Sequence, residues 1–322
     1  MNYFSNKNNF FHGIMFHHFH NDENHKKSQG SISKDSFREL ISFIGKENIL
    51  SPDEFILGLY NDSLIAKNVC LTFDDGIKSQ IDVALPVLED LNLKAFFFVQ
   101  SSILDKTPEK LEIYRYFRSN FFSTINSFYE EFYLHCGESY KSFLEKEVLN
   151  ILEIKKKIPV YSLDDIRFRL VRDKYLTSNK YDTIMNEMFK KKGFKPKEIY
   201  NQLIMDVSDL KKISNLGHTI GLHSHTHPML IENMNFEKQK YEYENNLKQM
   251  SLVIGCNKDK IDSMSHPCGS YNSDTLDILE KLNIKIGFKQ IMTIDKQMKK
   301  INNSKYEIAR EDHANIIKMM HK

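Results

Sequence analysis

Val69-Cys70-Leu71-Thr72-Phe73-Asp74-Asp75-Gly76 is an apolar run that ends on two adjacent carboxylates and a glycine. Val69, Cys70, Leu71 and Phe73 suit a strand buried inside a sheet. Open and barrel-shaped α/β proteins keep their chemistry at the carboxyl ends of strands, which is where Asp74, Asp75 and Gly76 fall. Two carboxylates side by side repel each other and lose hydration there, so positive charge must offset them, and a metal ion is the usual source. The plainer alternative is a hairpin turn, because Asp-Gly is a common turn pair.

A second segment decides between the two. Ile220-Gly221-Leu222-His223-Ser224-His225-Thr226-His227-Pro228 places three imidazoles within five positions. Neutral imidazole is the commonest ligand for divalent metals of intermediate softness. His223 and His227 are four apart, so a helical turn would put both on one face. A tight loop would do the same, and Pro228 argues against a continuing helix. One Asp and two His make three protein ligands and leave a fourth position open, the layout of a catalytic metal site rather than a structural one.

Thr72-Phe73-Asp74-Asp75-Gly76 and His223-Ser224-x-x-His227 resemble the first two motifs of the polysaccharide deacetylase family, carbohydrate esterase family 4. Pro267-Cys268-Gly269-Ser270-Tyr271-Asn272 is similar to its third motif, P-Y-G-x-Y-N, with Cys in place of Tyr. The resemblance spans about 69–99 and 207–310 and skips the hundred or so residues between. It implies a distorted (β/α) barrel and metal-dependent removal of an N-acyl group, usually acetyl, from an amino sugar. It implies one divalent ion, zinc, on Asp75, His223 and His227, with Asp74 beside it as general base. Pro267, Cys268 and Tyr271 would line the substrate, and the Cys268 N–H would help hold the oxyanion.

The chain also departs from the family pattern. The Arg that commonly precedes the third-motif proline is replaced by Ser265 or His266. The fourth motif, Asp-x-x-Asp-Trp, is impossible in a chain with no Trp. Ile308-Ala309-Arg310-Glu311-Asp312-His313 is the segment comparable to the fifth, Leu-x-x-His. Its Arg310 resembles the L-P-R ending of a rearranged branch, in which an amino-terminal Tyr-His supplies the general acid; Phe16-His17 stands in that place here. On this reading Arg310 orients Asp74 and His17 is the acid, with His313 as the rival acid. His18, His20 and His225 are left as surface or supporting groups.

Composition sets limits. A chain of 322 residues can bury one large core or two modest ones. Lys plus Arg is 45 and Asp plus Glu 43, so the charge balance points to neither nucleic acid nor an anionic membrane as partner. Cys70, Cys136, Cys256 and Cys268 have no C-x-x-C spacing, and a disulfide framework is not expected. No apolar stretch is long enough to span a bilayer. Met1 to Phe11 is polar and rich in Asn, without the pattern of a signal peptide, so a cytoplasmic enzyme acting on a nucleotide-linked or lipid-linked biosynthetic intermediate is expected. The sequence leaves the oligomeric state open.

The chain reads as one catalytic domain, 1–322, with a helical insertion at 101–205 that would form a lid or subdomain. Strand, helix and strand at 69–73, 79–91 and 95–99 form a βαβ unit, which demands a parallel sheet. Further strands are expected at 13–16, 219–222, 263–265, 284–288 and 306–309, with helices at 33–45, 207–216, 236–254 and 273–282. In the insertion, Phe117, Phe121, Phe122, Ile125, Phe128, Phe132 and Leu134 recur at helical intervals, and core packing is the simplest account of them. Arg115, Arg118, Arg167, Arg169 and Arg172 are available to a phosphate or carboxylate, although a solvated helix face accounts for most of them. Two other functions compete with deacetylation: a deformylase or other C–N amide hydrolase on the same scaffold, and a degenerate sugar-binding protein. The second has no need of the base Asp74.

Overall fold

The structure, a computed structural model, describes residues 3–4, 10–105, 110–157, 161–255, 260–292 and 300–321. It falls into two compact units, Met1–Thr107 with Asn201–Lys322, and Pro108–Tyr200. The second unit is narrower at both ends than the 101–205 stretch. Cys256 lies outside the described residues.

The first unit is built on strands β1 (His12–Phe16), β2 (Phe19–His20), β3 (Ile32–Ser33), β4 (Val69–Asp74), β5 (Phe96–Val99), β6 (Thr219–Leu222), β7 (Ser263–Ser265), β8 (Ile286–Phe288) and β9 (Arg310–Asp312). Seven of them form one parallel sheet in the order β8-β7-β6-β5-β4-β1-β9, and β2 and β3 pair separately. Parallel strands need crossovers, and helices supply several of them, with both sheet faces covered. Side chains alternate between the faces. Phe16, Phe73 and Phe97 stack on one face, with ring centroids 5.3 and 4.7 Å apart, and Phe37 of the helix Lys34–Ile44 packs edge-on against Phe16. Cys70, Phe96, Phe98 and Phe288 form a core cluster with Phe55, Ile286 and Ile308.

The sheet curls into a distorted, nearly closed barrel, and one segment makes the seam. Ile308 bridges Phe288 of β8, while Arg310–Asp312 pairs with Gly13–Met15 of β1. The strand expected at 306–309 is therefore split. Its first part belongs to one edge of the sheet, and the regular strand starts at Arg310 against the other edge. The helix expected at 79–91 also has two parts, a π-helical turn over Gln80–Ala84 and an α-helix over Leu85–Asp90.

The second unit is helical, with helices at Lys110–Asn120, Ile125–Cys136, Ser139–Lys146, Val148–Lys157, Leu163–Leu170 and Ser178–Lys192 among its elements. Phe117, Phe128, Phe132 and Phe168 are fully buried and pack largely edge-to-face, as aromatic quadrupoles favour. The expected aromatic stripe is thus a core, but Ile125 and Leu134 are exposed and stand outside it.

Gly221 of β6 tests the packing of the barrel. A Cβ there would lie 2.6 Å from the Phe98 ring and 2.6 Å from Ser263 Oγ. Gly221→Ala should lower unfolding free energy by about 1–3 kcal/mol, the usual effect of overpacking a tight core. Urea denaturation measures it; unchanged stability would show that the interior has slack at this level.

Candidate active site

The site sits where β4, β6 and β7 end and the seam closes. Asp74 is the last residue of β4, and Asp75 turns out of it with φ +76°. Ser224, His227 and Cys268 share this left-handed conformation. It disfavours side-chain-bearing residues by about 1–2 kcal/mol each, and such strain tends to collect at functional sites.

The two carboxylates have different neighbours. Asp75 Oδ1 lies 3.1 Å from His223 Nε2 and 3.4 Å from His227 Nε2. Asp74 Oδ1 accepts from Arg310 Nη1 at 2.7 Å. Arg310 is 1% exposed and also donates from Nε to the Lys289 carbonyl and from Nη1 to Thr72 Oγ1. His17 Nε2, just past the end of β1, lies 3.9 Å from Asp74 Oδ2 and 3.8 Å from Asp75 Oδ2. His313 is set back, buried, with its ring stacked on Phe16 and Nδ1 3.2 Å from the Met15 carbonyl.

The electrostatics follow from burial and these contacts. Burial raises the Asp74 pKa, but the Arg310 guanidinium, followed by His223, outweighs it and the carboxyl ends below its usual range. Asp75 is raised by burial and carried well below its usual value by His223, His17 and His227. Burial disfavours a charge on His223, yet Asp74 and Asp75 overcome it and raise its pKa, which is the field a cation would meet there. Burial dominates at His227 and pushes it down to about 4, so its imidazole is a neutral lone-pair donor.

Asp75, His223 and His227 fit a metal ion. Their ligand atoms all lie within 4.8 Å of one another. Two ligands on one tetrahedral zinc at bonds of about 2.1 Å stand about 3.4 Å apart, close to the two Asp75–imidazole separations. His223 Nδ1 faces the Ser265 carbonyl at 3.0 Å, and an N–H donated there leaves Nε2 as the ligating atom.

Several supporting residues carry no local motif. Ser265 Oγ lies 2.7 Å from His223 Nδ1 and donates to Asp74 Oδ1 at 3.3 Å, so it touches both halves of the site. Gln80 is 1% exposed, and its side-chain amide donates to the carbonyls of His17 and Asp74 at 2.9 and 2.7 Å, tying the end of β1 to the end of β4. The helix Phe236–Ile254 holds the histidine loop. Its Asn246 accepts from His223 N, and its Glu242 accepts from the N–H groups of His225 and Thr226. Glu242 and Asn246 share a helical face, a spacing that does signal a common target. His225 is 7% exposed, with Nδ1 2.9 Å from Ser101 Oγ, so it is a supporting group rather than a surface one.

The loop after β7 is more dispersed. Pro267 is buried and Cys268 is exposed at the turn Pro267–Gly269. Tyr271 stacks on the buried His266 ring at 4.2 Å, and its hydroxyl donates to Glu307.

The model of the polysaccharide deacetylase family matches residues 62–116 and 180–287, about half of the chain, and the chain belongs to that family. The matched blocks include Asp74, Asp75, His223 and His227 and stop short of His17 and Arg310. Among solved structures, a deacetylase from Streptococcus pyogenes, PplD in complex with acetate, is 17% identical, with 94% of this chain and 91% of that chain covered and a TM-score of 0.55. A de-N-acetylase from Aggregatibacter actinomycetemcomitans is 14% identical over 93% of both chains, with a TM-score of 0.52. The BpsB deacetylase domain from Bordetella bronchiseptica is 14% identical over 94% of this chain and 95% of that one, also at 0.52. At these identities the likeness is one of fold. No curated protein matches the chain.

Removing one imidazole should empty the ligand set. His223→Ala and His227→Ala purified with the parent protein should each lose nearly all bound divalent metal by elemental analysis, since two ligands hold zinc far more weakly than three. Full metal content in either variant would place the ion elsewhere.

Proposed function

We propose that this deacetylase is a metal-dependent hydrolase that removes an N-acetyl group from an amino sugar. One observation carries the reading: the adjacent carboxylates have separate partners, Asp75 with two imidazoles and Asp74 with a buried guanidinium. A binding protein has no use for a second ionised carboxylate held apart from the ligand set. Among the described residues no helix is long and apolar enough to cross a membrane, and the substrate class follows from the family.

Hydrolysis breaks the amide C–N bond, adds hydroxide to the acyl carbon and gives a proton to the leaving nitrogen. Asp75, His223 and His227 would hold a divalent ion, zinc by the chemistry of the donors, and its chemistry there would be that of a Lewis acid. Asp74 takes the proton of the attacking water. Arg310 keeps that carboxylate ionised and turned, through a charge-assisted hydrogen bond at 2.7 Å. The Cys268 N–H, in the turn after β7, is assigned to the oxyanion, a role that leaves its side chain free to differ from the family's Tyr. Pro267 and Tyr271 shape that loop around the substrate.

His17 is assigned as the acid that protonates the leaving amine. Its Nε2 is within 4 Å of both carboxylates, and its side chain is 28% exposed, so substrate can reach it. An imidazole can both hold and release a proton, which suits donation to a leaving amine. His313 has neither feature, being 6% exposed at the side chain and engaged behind β1.

Two experiments test these roles. Asp74→Asn should keep its metal and lose on the order of a hundredfold or more in turnover, whereas Asp75→Asn should lose metal. Equal metal loss in both would mean the two carboxylates are not divided as described. Acetate and formate release from nucleotide-linked, lipid-linked and oligomeric amino sugars is the assay, and formate alone would make the enzyme a deformylase.

The second experiment compares turnover between variants. His17→Ala should lose about a hundredfold or more in turnover, and His313→Ala should stay near normal. Arg310→Lys should lower turnover, because an ammonium lacks the planar fork. Near-normal turnover in His17→Ala with collapse in His313→Ala would reverse the assignment of the acid.

A further inference from the structure

A backbone donor assigned to an oxyanion must be held in place before the charge develops. The turn Pro267–Gly269, which carries Cys268, closes on itself through two bonds. Gly269 N–H donates to the His266 carbonyl and Ser270 N–H to the Pro267 carbonyl, both at 2.9 Å. These bonds shape the turn and leave its direction to other contacts. Cys268 sits at φ +53° and Gly269 at +69°. A residue with a side chain keeps such a conformation only where its surroundings over-determine it.

The residues on either side of the turn tie it to one short segment, 304–307. His266, before the turn, is fully buried, and its Nε2 donates to the Tyr306 carbonyl at 2.9 Å, since a carbonyl only accepts. Tyr271, after the turn, stacks on the His266 ring with centres 4.2 Å apart and planes at 22°. Its hydroxyl donates to Glu307 Oε1 at 2.9 Å. Glu307 Oε2 accepts from Ser304 Oγ at 2.8 Å, which fixes the rotation of the carboxylate. Ser270 Oγ also accepts from Glu232 N–H at 3.2 Å, and the Asn272 amide donates to the Glu232 carbonyl at 2.8 Å.

Segment 304–307 runs directly into the support of Asp74. Gly287 N–H donates to the Lys305 carbonyl, Ile308 N–H to the Gly287 carbonyl and Lys289 N–H to the Ile308 carbonyl, each at 2.9 Å, so the segment is bound along β8. Arg310 follows, with Nη1 2.7 Å from Asp74 Oδ1. One stretch of chain therefore reaches Asp74 at one end and the Cys268 turn at the other. We propose that Glu307 and Tyr271 are positioning residues for the hydrolysis: their hydrogen bond holds the Cys268 turn in a fixed place relative to Asp74, as Arg310 holds Asp74 itself. What the turn does in catalysis rests on the deacetylase reading; the contact that holds it does not.

Tyr271→Phe keeps the ring on His266 and removes one donor, so it separates the hydrogen bond from the packing. Amide exchange, by mass spectrometry of the peptide that carries Gly269 and Ser270, should be about fivefold faster or more in Tyr271→Phe and in Glu307→Ala, as loss of one hydrogen bond to a carboxylate does. With the amino sugar that the parent chain hydrolyses fastest, both variants should lose about fivefold or more in kcat, with KM within about twofold and metal content at the parent level. The double variant should be no slower than Glu307→Ala alone, since one contact cannot be lost twice. Glu307→Gln keeps an acceptor for the Tyr271 hydroxyl and should lose less than Glu307→Ala in both measurements. Parent-like exchange in both single variants, faster exchange with parent-like kcat, additive losses in the double variant, or loss of metal alongside kcat would each overturn the proposal. A parent chain that releases neither acetate nor formate would sink the deacetylase reading instead, and the exchange measurement would still decide whether the contact holds the turn.

Discussion

Two consecutive carboxylates must stay ionised at the end of a buried strand, and the site is arranged around that requirement. Asp74 is 2% exposed, and burial pushes both carboxyl groups toward the neutral form. Side chains of successive strand residues point to opposite faces. The left-handed turn at Asp75 breaks that alternation, so that both carboxylates come within 4 Å of the same imidazole nitrogen of His17. Once side by side they need separate compensation, and each has it, a guanidinium for one and imidazoles for the other. A buried ion pair such as Asp74–Arg310 gains little net stability after desolvation; what it fixes is geometry.

That pair in turn constrains the barrel. A fully buried arginine needs a channel for its stem, and β1 leaves room by carrying Gly13 beside it. A Cβ on Gly13 would lie 2.9 Å from Arg310 Cγ and 3.3 Å from Cδ. A small residue in the first strand thus serves a large one in the last, and the large one serves a carboxylate two strands away from its own. The register of β1 against β9, with Gly13 opposite Arg310, is what lets the chain make this exchange.

The parts of this arrangement that follow from local chemistry could be read in the sequence. Thr72 to Gly76 and His223 to His227 are contiguous motifs, and the strand ends that carry them are marked by apolar runs. The helices Phe236–Ile254 and Val207–Asn215 stand close to where periodicity put them. What escaped depends on pairing between distant segments. Nothing local to 306–312 says that Ile308 joins one edge of the sheet and Arg310 the other. Gln80 looks like any polar residue at the start of a helix until its amide is seen between two strand-end carbonyls. Ser265 looks like an ordinary strand-end serine, and only the fold shows that it contacts both His223 and Asp74.

The seam has a consequence for how the protein loses and regains its structure. Asp75 and the two imidazoles come from β4 and β6, which flank β5 in the middle of the sheet, whereas Arg310 and His17 follow from the two strands that close it. Arg310 and Asp74 are 236 residues apart in the chain, so their contact forms only after a very long loop has closed. Proteins open in parts, and strands at a closure are natural candidates for the first part to let go. A molecule briefly parted between β8, β9 and β1 would keep Asp75, His223 and His227 together while separating Arg310 from Asp74, a reversible state reached without global unfolding. Amide exchange at Gly13 and Ile308 would report its population, and heat would enlarge it before any change in helix content could be seen.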